Sequence, residues 1–85
     1  MKSFDYKIND AMGIHARPAG LLVKETSKFT SDIQLITPNK AVDAKRIMAV
    51  MGTGVKCGDV VTVMASGVDE AEAKATLLAF FVQNL

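Results

Sequence analysis

The sequence predicts an α+β domain of two layers, a sheet with helices packed on one of its faces. Two patterns lead to this prediction. Segments in which apolar and polar residues alternate, as in a half-buried strand, interchange with segments in which apolar residues recur at helical spacing. Their order is βαββαβα, and each helical segment carries a single apolar stripe, so the sheet needs a cover on one side only. A chain of 85 residues has room for one core, and we expect a single domain at residues 1–85.

The first half of the chain contains a strand, a helix and a hairpin. Residues 4–8 alternate between apolar and polar side chains and predict the first strand, which a polar loop follows. Residues 16–26 change to helical spacing, and the stripe that faces the core consists of Ala19, Leu22, Val23 and Thr26. Residues 33–35 predict a second strand, and the turn signal at residues 38–40 returns the chain into a short third strand at residues 41–42.

The second half of the chain predicts a short helix, a central strand and a long final helix. Residues 47–51 form an apolar cluster that Gly52 stops after one or two helical turns. Residues 60–64 are the most β-branched segment, which suits the centre of a sheet. Asp69 followed by Glu72 has the spacing of a capping box, in which two side chains satisfy backbone N–H groups at a helix start. The final helix is amphipathic, and Ala73, Leu77, Phe80, Phe81 and Asn84 follow at helical intervals.

Composition and charge exclude several classes of function. Hydrophobic residues make up 49% and charged residues 22%, as in a folded globular domain. The net charge is +1 and the Lys and Arg residues are scattered, so we expect no nucleic-acid partner. The apolar run at residues 77–82 is far shorter than the roughly 20 residues of a membrane span, and no signal-peptide core follows Met1, so we predict a cytoplasmic protein without membrane insertion. Cys57 is the only cysteine, which excludes a structural zinc site and favours a free thiol in a turn.

One stretch, residues 13–19, carries candidate chemistry. It holds the only histidine, His15, two residues before Arg17. Pro18 has no N–H group and is tolerated only in the first turn of a helix, so it places the helix start close to His15. His15 is therefore expected at or beside the N-cap, where first-turn N–H groups lack partners and the helix dipole is positive. Anions bind well at such ends.

An imidazole in this position suits a phosphoryl carrier. The helix dipole disfavours an imidazolium, so we expect a largely neutral ring with one nitrogen lone pair free to act as a nucleophile. An arriving phosphoryl group would meet backbone N–H donors and the forked guanidinium of Arg17. By spacing alone, a lone histidine before a helix is more often an ordinary surface or capping residue, so the residues by themselves leave the function open.

The stretch at residues 13–19 resembles the active-site signature of the HPr family, the histidine-containing phosphocarriers of the bacterial phosphoenolpyruvate-dependent sugar phosphotransferase system. The resemblance continues along the chain at residues 29–31, 44–45, 47–48, 50–51 and 58–62. It implies an open-faced two-layer sandwich with a four-stranded antiparallel sheet and three helices on one face. It also implies that His15 carries a phosphoryl group on Nδ1, stabilised by Arg17 and by the N–H groups of Ala16 and Arg17.

The resemblance implies partners as well. The phosphoryl group would pass from enzyme I, charged by phosphoenolpyruvate, to the A domains of sugar-specific enzyme II. The chain would act as a monomeric carrier without a cofactor or a metal, and not as an enzyme. Family members dock through the first two helices, which here carry Gly20, Leu21, Lys24, Ile47, Met48, Met51 and Gly52. Without the family in view, Ile47 and Val50 are interpreted as core, because a short apolar helix usually packs inward.

One position departs from the family pattern. Many Gram-positive members carry a regulatory serine where this chain has Arg46, so we expect no regulation by an ATP-dependent serine kinase at this site. A serine there would also cap the short helix, and its loss costs about 0.5–2 kcal/mol if nothing else caps. Two alternatives stay open: a regulatory paralogue that binds other proteins in nitrogen or carbon regulation, and an unrelated interaction module whose motif is accidental.

Overall fold

The computed structural model describes residues 1–85 and contains four strands and three helices in the predicted order. The strands are β1 (Lys2–Lys7), β2 (Asp32–Ile36), β3 (Ala41–Asp43) and β4 (Val60–Ser66). The helices are α1 (Ala16–Thr26), α2 (Ile47–Met51) and α3 (Glu70–Asn84). None of the three helices has the length and apolar character that crossing a membrane requires.

The strands form one antiparallel sheet in the order β1-β4-β2-β3. The β-branched strand β4 therefore lies in the interior of the sheet, as its composition predicted. Phe4, Val63 and Leu35 stand opposite one another across β1, β4 and β2. Because paired residues point to the same side of a sheet, this register places three apolar side chains in one row on the covered face.

The core lies between this face of the sheet and the helices. Phe81 of α3 is fully buried at its centre. Its ring packs edge-on against Phe4, Tyr6 and Phe80, with ring centroids 5.5–6.0 Å apart. On the opposite face the Thr62 hydroxyl donates to the Asp5 carboxylate at 2.6 Å, and both residues lie outside the core. The structure is thus the open-faced α+β sandwich that the sequence predicted.

The predicted capping box at the start of α3 is wrong. Asp69 is the N-cap residue, but its side chain makes no hydrogen bond to the helix and therefore does not pair with Glu72. The carboxylate turns to the loop between α1 and β2, where it accepts the N–H groups of Thr30 at 2.8 Å and Ser31 at 2.9 Å and both hydroxyls. Four donors converge on Asp69 there, and together they outweigh the single N–H group that a capping box offers.

Candidate functional site

His15 is the N-cap residue of α1, as the position of Pro18 predicted. Its backbone is extended, with φ −110° and ψ −172°, and its C=O accepts the Ala19 N–H at 3.0 Å as the first bond of the helix. The imidazole makes no capping bond, and 33% of the side chain is exposed. The ring is therefore available to a ligand.

The loop that precedes His15 is fixed by a close contact between two backbone segments. Gly13 has φ +65°, and a Cβ atom there would lie 2.1 Å from the carbonyl oxygen of Val55. Only glycine tolerates both the left-handed conformation and this approach. The N–H of the buried Ile14 then donates to the same Val55 oxygen at 3.3 Å. These contacts set the direction in which the chain enters α1.

The first turn of α1 presents donors without partners. The N–H groups of Ala16 and Arg17 have no acceptor in the protein, and the first turn contains no acidic residue. The exposed guanidinium of Arg17 forms no ion pair. The helix turn that begins at His15 therefore offers two open backbone donors and one unpaired cation, and this combination favours an anion.

Three residues of the site were not predicted from the sequence. His15, Arg17, Pro18 and Leu21 line an open depression together with Asp10, Gln83 and Asn84. Asp10 belongs to the loop after β1, and its Oδ1 atom lies 3.8 Å from Nε2 of His15. Gln83 and Asn84 come from the end of α3. No motif spacing links these positions to His15, so only the fold brings them together.

The residues expected to dock partners lie on α1 and α2, which pack side by side. A Cβ atom on Gly20 would lie 3.6 Å from Cδ1 of Ile47, an ordinary van der Waals distance, so Gly20 faces α2 where the two helices meet. Val50 is fully buried, which confirms its interpretation as core, whereas Ile47 is 42% exposed and its interpretation as core is wrong. The exposed members of the expected surface are Leu21, Lys24, Ile47, Met48, Met51 and Gly52.

Arg46 and Cys57, which the sequence analysis also discussed, both lie on the surface. Arg46 is the N-cap residue of α2, and its side chain makes no capping bond. The exposed thiol of Cys57 lies 3.7 Å from the carbonyl oxygen of Asn9. No group of three or more metal-ligating side chains is placed to hold a metal ion.

The open-faced sandwich, with a histidine at the exposed start of its first helix, places the protein among small histidine-containing carriers. The family model described as "PTS HPr component phosphorylation site" matches residues 2–83. The chain belongs to this family, the HPr phosphocarriers of the phosphotransferase system. It is 41% identical to the phosphocarrier protein HPr of Mycoplasma genitalium over 85 residues, which are 99% of this chain and 97% of that protein.

Solved structures agree with this assignment. A histidine-containing phosphocarrier protein from a mycoplasma superposes with a TM-score of 0.94 at 38% identity, over 96% of this chain and 93% of the other. An HPr dimer from Thermoanaerobacter tengcongensis superposes with a TM-score of 0.77 at 43% identity, over 98% and 95% of the two chains. Since a relative of this similarity forms a dimer, the monomeric state expected here stays a prediction.

Proposed function

We propose that the protein accepts a phosphoryl group on Nδ1 of His15 from phosphorylated enzyme I and passes it to the A domains of sugar-specific enzyme II in the cytoplasm. One observation carries the proposal: the half-exposed imidazole at the N-cap of α1 begins a turn whose two backbone N–H groups and guanidinium have no partners. Membership of the HPr family supports the same transfer.

The transfer needs little from the protein beyond position and charge. The Nδ1 lone pair forms the new N–P bond while the bond between phosphorus and the donor breaks, and that electron pair stays with the donor. The group that arrives carries a charge of roughly −1.5 to −2 by analogy with other phosphorylated side chains. The N–H groups of Ala16 and Arg17 and the Arg17 guanidinium have no partner in the protein, so they can bind this charge without first breaking an internal bond.

The surface formed by α1 and α2 suits the partners. Leu21 lines the depression beside His15 and also belongs to the apolar surface with Ile47, Met48 and Met51. A protein that docks there therefore covers the imidazole and can bring its own reactive group to it. Methionine side chains are flexible and polarizable, which helps one surface to pack against both a donor and several acceptors.

Phosphoryl labelling tests the proposal directly. The protein is incubated with phosphoenolpyruvate and enzyme I, and the product is tested for an acid-labile, alkali-stable adduct. Because His15 is the only histidine, such an adduct can come from no other imidazole in the chain. We expect one phosphoryl group per chain and none in His15→Ala.

A second step separates the carrier from the alternatives. Addition of an enzyme II A domain moves the label from the carrier to the acceptor. A protein that is labelled but passes nothing to a panel of acceptor domains fits the regulatory paralogue. If enzyme I does not label the protein at all, both the carrier hypothesis and the hypothesis of a labelled regulatory paralogue are contradicted.

A further inference from the structure

We propose that Asp10 is a positioning residue for His15, whose carboxylate keeps the proton on Nε2 and so leaves Nδ1 as the nucleophile. The same carboxylate would stabilise the positive charge that the ring gains when Nδ1 is phosphorylated. The observation is the 3.8 Å separation between Asp10 Oδ1 and His15 Nε2. This inference rests on the proposed function and assigns a further residue to it.

Asp10 is held in place by its own loop and by the residue that follows α3. Its Oδ1 atom accepts the Met12 N–H at 2.8 Å, which closes an Asx-turn. The Asp10 C=O accepts the Gly13 N–H at 2.9 Å, and the Asp10 N–H donates to the Leu85 backbone oxygen at 2.9 Å. Two bonds thus hold the backbone of Asp10 and one holds its carboxylate, so the side chain keeps a defined place beside the His15 ring.

The carboxylate faces one particular nitrogen of the ring. A carboxylate beside one imidazole nitrogen favours an N–H group there, so the other nitrogen keeps the lone pair. The separation of 3.8 Å is within ion-pair range and longer than a hydrogen bond. Such contacts between catalytic groups often shorten when the reacting partner arrives. Here the positive charge that develops on the His15 ring would draw the two groups together.

The proton balance of the transfer explains why a fixed carboxylate helps. A neutral ring with its proton on Nε2 attacks through Nδ1, and it loses no proton when the N–P bond forms. The phosphorylated ring therefore carries one positive charge, which Asp10 faces. When the phosphoryl group leaves for the acceptor, the electron pair of the N–P bond returns to Nδ1, and the leaving group is a neutral imidazole. One proton stays on Nε2 throughout the cycle.

No other acidic side chain lines the depression, and the Leu85 backbone oxygen beside Asp10 is occupied by the N–H groups of Asn9 and Asp10. The remaining charged group in the depression is the Arg17 guanidinium, and α3 contributes only the neutral amides of Gln83 and Asn84. Asp10 is the one acidic side chain within 4.0 Å of a His15 ring nitrogen. The electrostatic effect on Nε2 is therefore assigned to a single residue, and a single substitution removes it.

Three variants test the assignment. Asp10→Asn keeps an oxygen for the Met12 N–H and for Nε2 but removes the charge. Asp10→Ser keeps the turn, yet its hydroxyl is too short to reach the ring. Asp32→Asn is the matched control, because Asp32 is an exposed carboxylate that lines a separate depression with Asp43. Each protein is phosphorylated with potassium phosphoramidate, a small donor that needs no protein partner, and the phosphohistidine ³¹P resonance is followed against pH.

We expect the midpoint of this ³¹P titration to fall by about 0.5–1 pH unit in Asp10→Asn, because a unit charge about 4 Å away is removed from a half-exposed site. The midpoint of Asp10→Ser is expected to fall at least as far, and the midpoint of Asp32→Asn is expected to match that of the wild-type protein. Phosphoryl transfer to an acceptor domain near neutral pH slows roughly three- to tenfold in Asp10→Asn, because a smaller fraction of rings is protonated. Equal midpoints in Asp10→Asn, Asp32→Asn and the wild type overturn the assignment.

The readouts keep this assignment separate from the proposed function. If enzyme I fails to label the wild-type protein, the proposed function fails, and the chemically phosphorylated protein still reports on Asp10. If enzyme I labels the protein and the Asp10→Asn midpoint is unchanged, only the role of Asp10 fails. A purely structural role would lower the melting temperature of Asp10→Asn without moving the ³¹P midpoint, and that result also counts against the assignment.

Discussion

Two pairs of adjacent backbone N–H groups differ in whether the chain itself supplies an acceptor. One pair belongs to Thr30 and Ser31, and the other belongs to Ala16 and Arg17. The first pair lies between α1 and β2 and is filled by the Asp69 carboxylate, which also accepts both hydroxyls. The second pair begins α1 and has no acceptor. Both pairs offer backbone N–H donors to an anion, but only the first pair binds an anion that belongs to the chain, the Asp69 carboxylate.

The difference shows how a small domain separates stability from function. At the filled pair, the hydrogen bond from the Ser31 hydroxyl, with the N–H groups of Thr30 and Ser31, lowers the pKa of Asp69 from 3.8 to about 2. These hydrogen bonds connect the start of α3 to the loop that follows α1. At the open pair, the chain supplies an imidazole in place of a carboxylate, so the donors remain free for an anion that comes and goes. An unfilled helix end gives up some stability in exchange for a binding site.

His15→Asp would fill the open pair and has the largest expected effect. We expect enzyme I labelling to be lost completely, because the chain then has no histidine. We also expect the free energy of unfolding to rise by about 0.5–2 kcal/mol, since an aspartate at the N-cap accepts first-turn N–H groups and complements the helix dipole. Urea unfolding, measured beside phosphoryl labelling, checks both changes.

His15→Ala is the control for this variant. It loses the label as well, but its side chain offers no oxygen to the Ala16 and Arg17 donors, so no gain in stability is expected. If both variants unfold at the same urea concentration, then filling the first-turn N–H groups of α1 does not stabilise the protein. In that case the open pair does not differ from the Asp69 site in the way argued above.

Asp69→Asn would break the filled pair. At neutral pH we expect the melting temperature to fall by roughly 5 °C or more, because the amide accepts fewer and weaker hydrogen bonds from Thr30 and Ser31. The pKa of Asp69 is lower in the folded chain than its ordinary value of 3.8, so the carboxylate contributes fully above about pH 4 and loses its contribution as the pH falls toward 2. Thermal unfolding at several pH values measures the difference between the two proteins.

Glu72→Gln is the matched control for Asp69→Asn. Glu72 also belongs to the first turn of α3, but its carboxylate does not bond Thr30 or Ser31. We expect its melting temperature to change little. A stability difference between wild type and Asp69→Asn that stays constant down to pH 2 would contradict the role assigned to the Asp69 carboxylate.

The contrast between the two pairs also marks what the sequence could predict. His15 was placed at the helix start because the signals are local: Pro18 limits where the helix begins, and apolar spacing defines its face. The strands followed from alternation in the same way. The Asp69 contact was missed because its partner Thr30 is 39 positions away, and an aspartate before a helix has the same local pattern whether it caps or not.

The residues of the candidate site also fall into those with local sequence signals and those without. His15 and Arg17 are neighbours in sequence, so their spacing identified them. Asp10 is separated from His15 by a turn whose course depends on Gly13 packing against Val55. Gln83 and Asn84 reach the depression only because α3 packs on β1 and β4. These residues depend on tertiary contacts, which periodicity and spacing do not report.

Met48→Asp tests whether the open pair lies beside a docking surface. Met48 is 76% exposed on α2, so we expect no change in melting temperature. A new negative charge and the loss of an apolar contact are expected to raise the KM of enzyme I for this protein by roughly tenfold. Val68→Asp is the control, because Val68 is 97% exposed before α3 and lies outside the expected surface. Equal KM values for the two variants would contradict the docking surface.

Arg46→Ser has the smallest expected effect and concerns the open N–H groups at the start of α2. The N–H groups of Met48 and Ala49 have no acceptor, and the Arg46 side chain does not cap α2. A serine oxygen at this N-cap is expected to raise the free energy of unfolding by about 0.5–1 kcal/mol, whereas Arg46→Ala is not. Urea unfolding distinguishes the two, and equal midpoints would mean that α2 gains nothing from a cap. Neither variant is expected to alter phosphoryl labelling, because α2 has no imidazole at its start to accept a phosphoryl group.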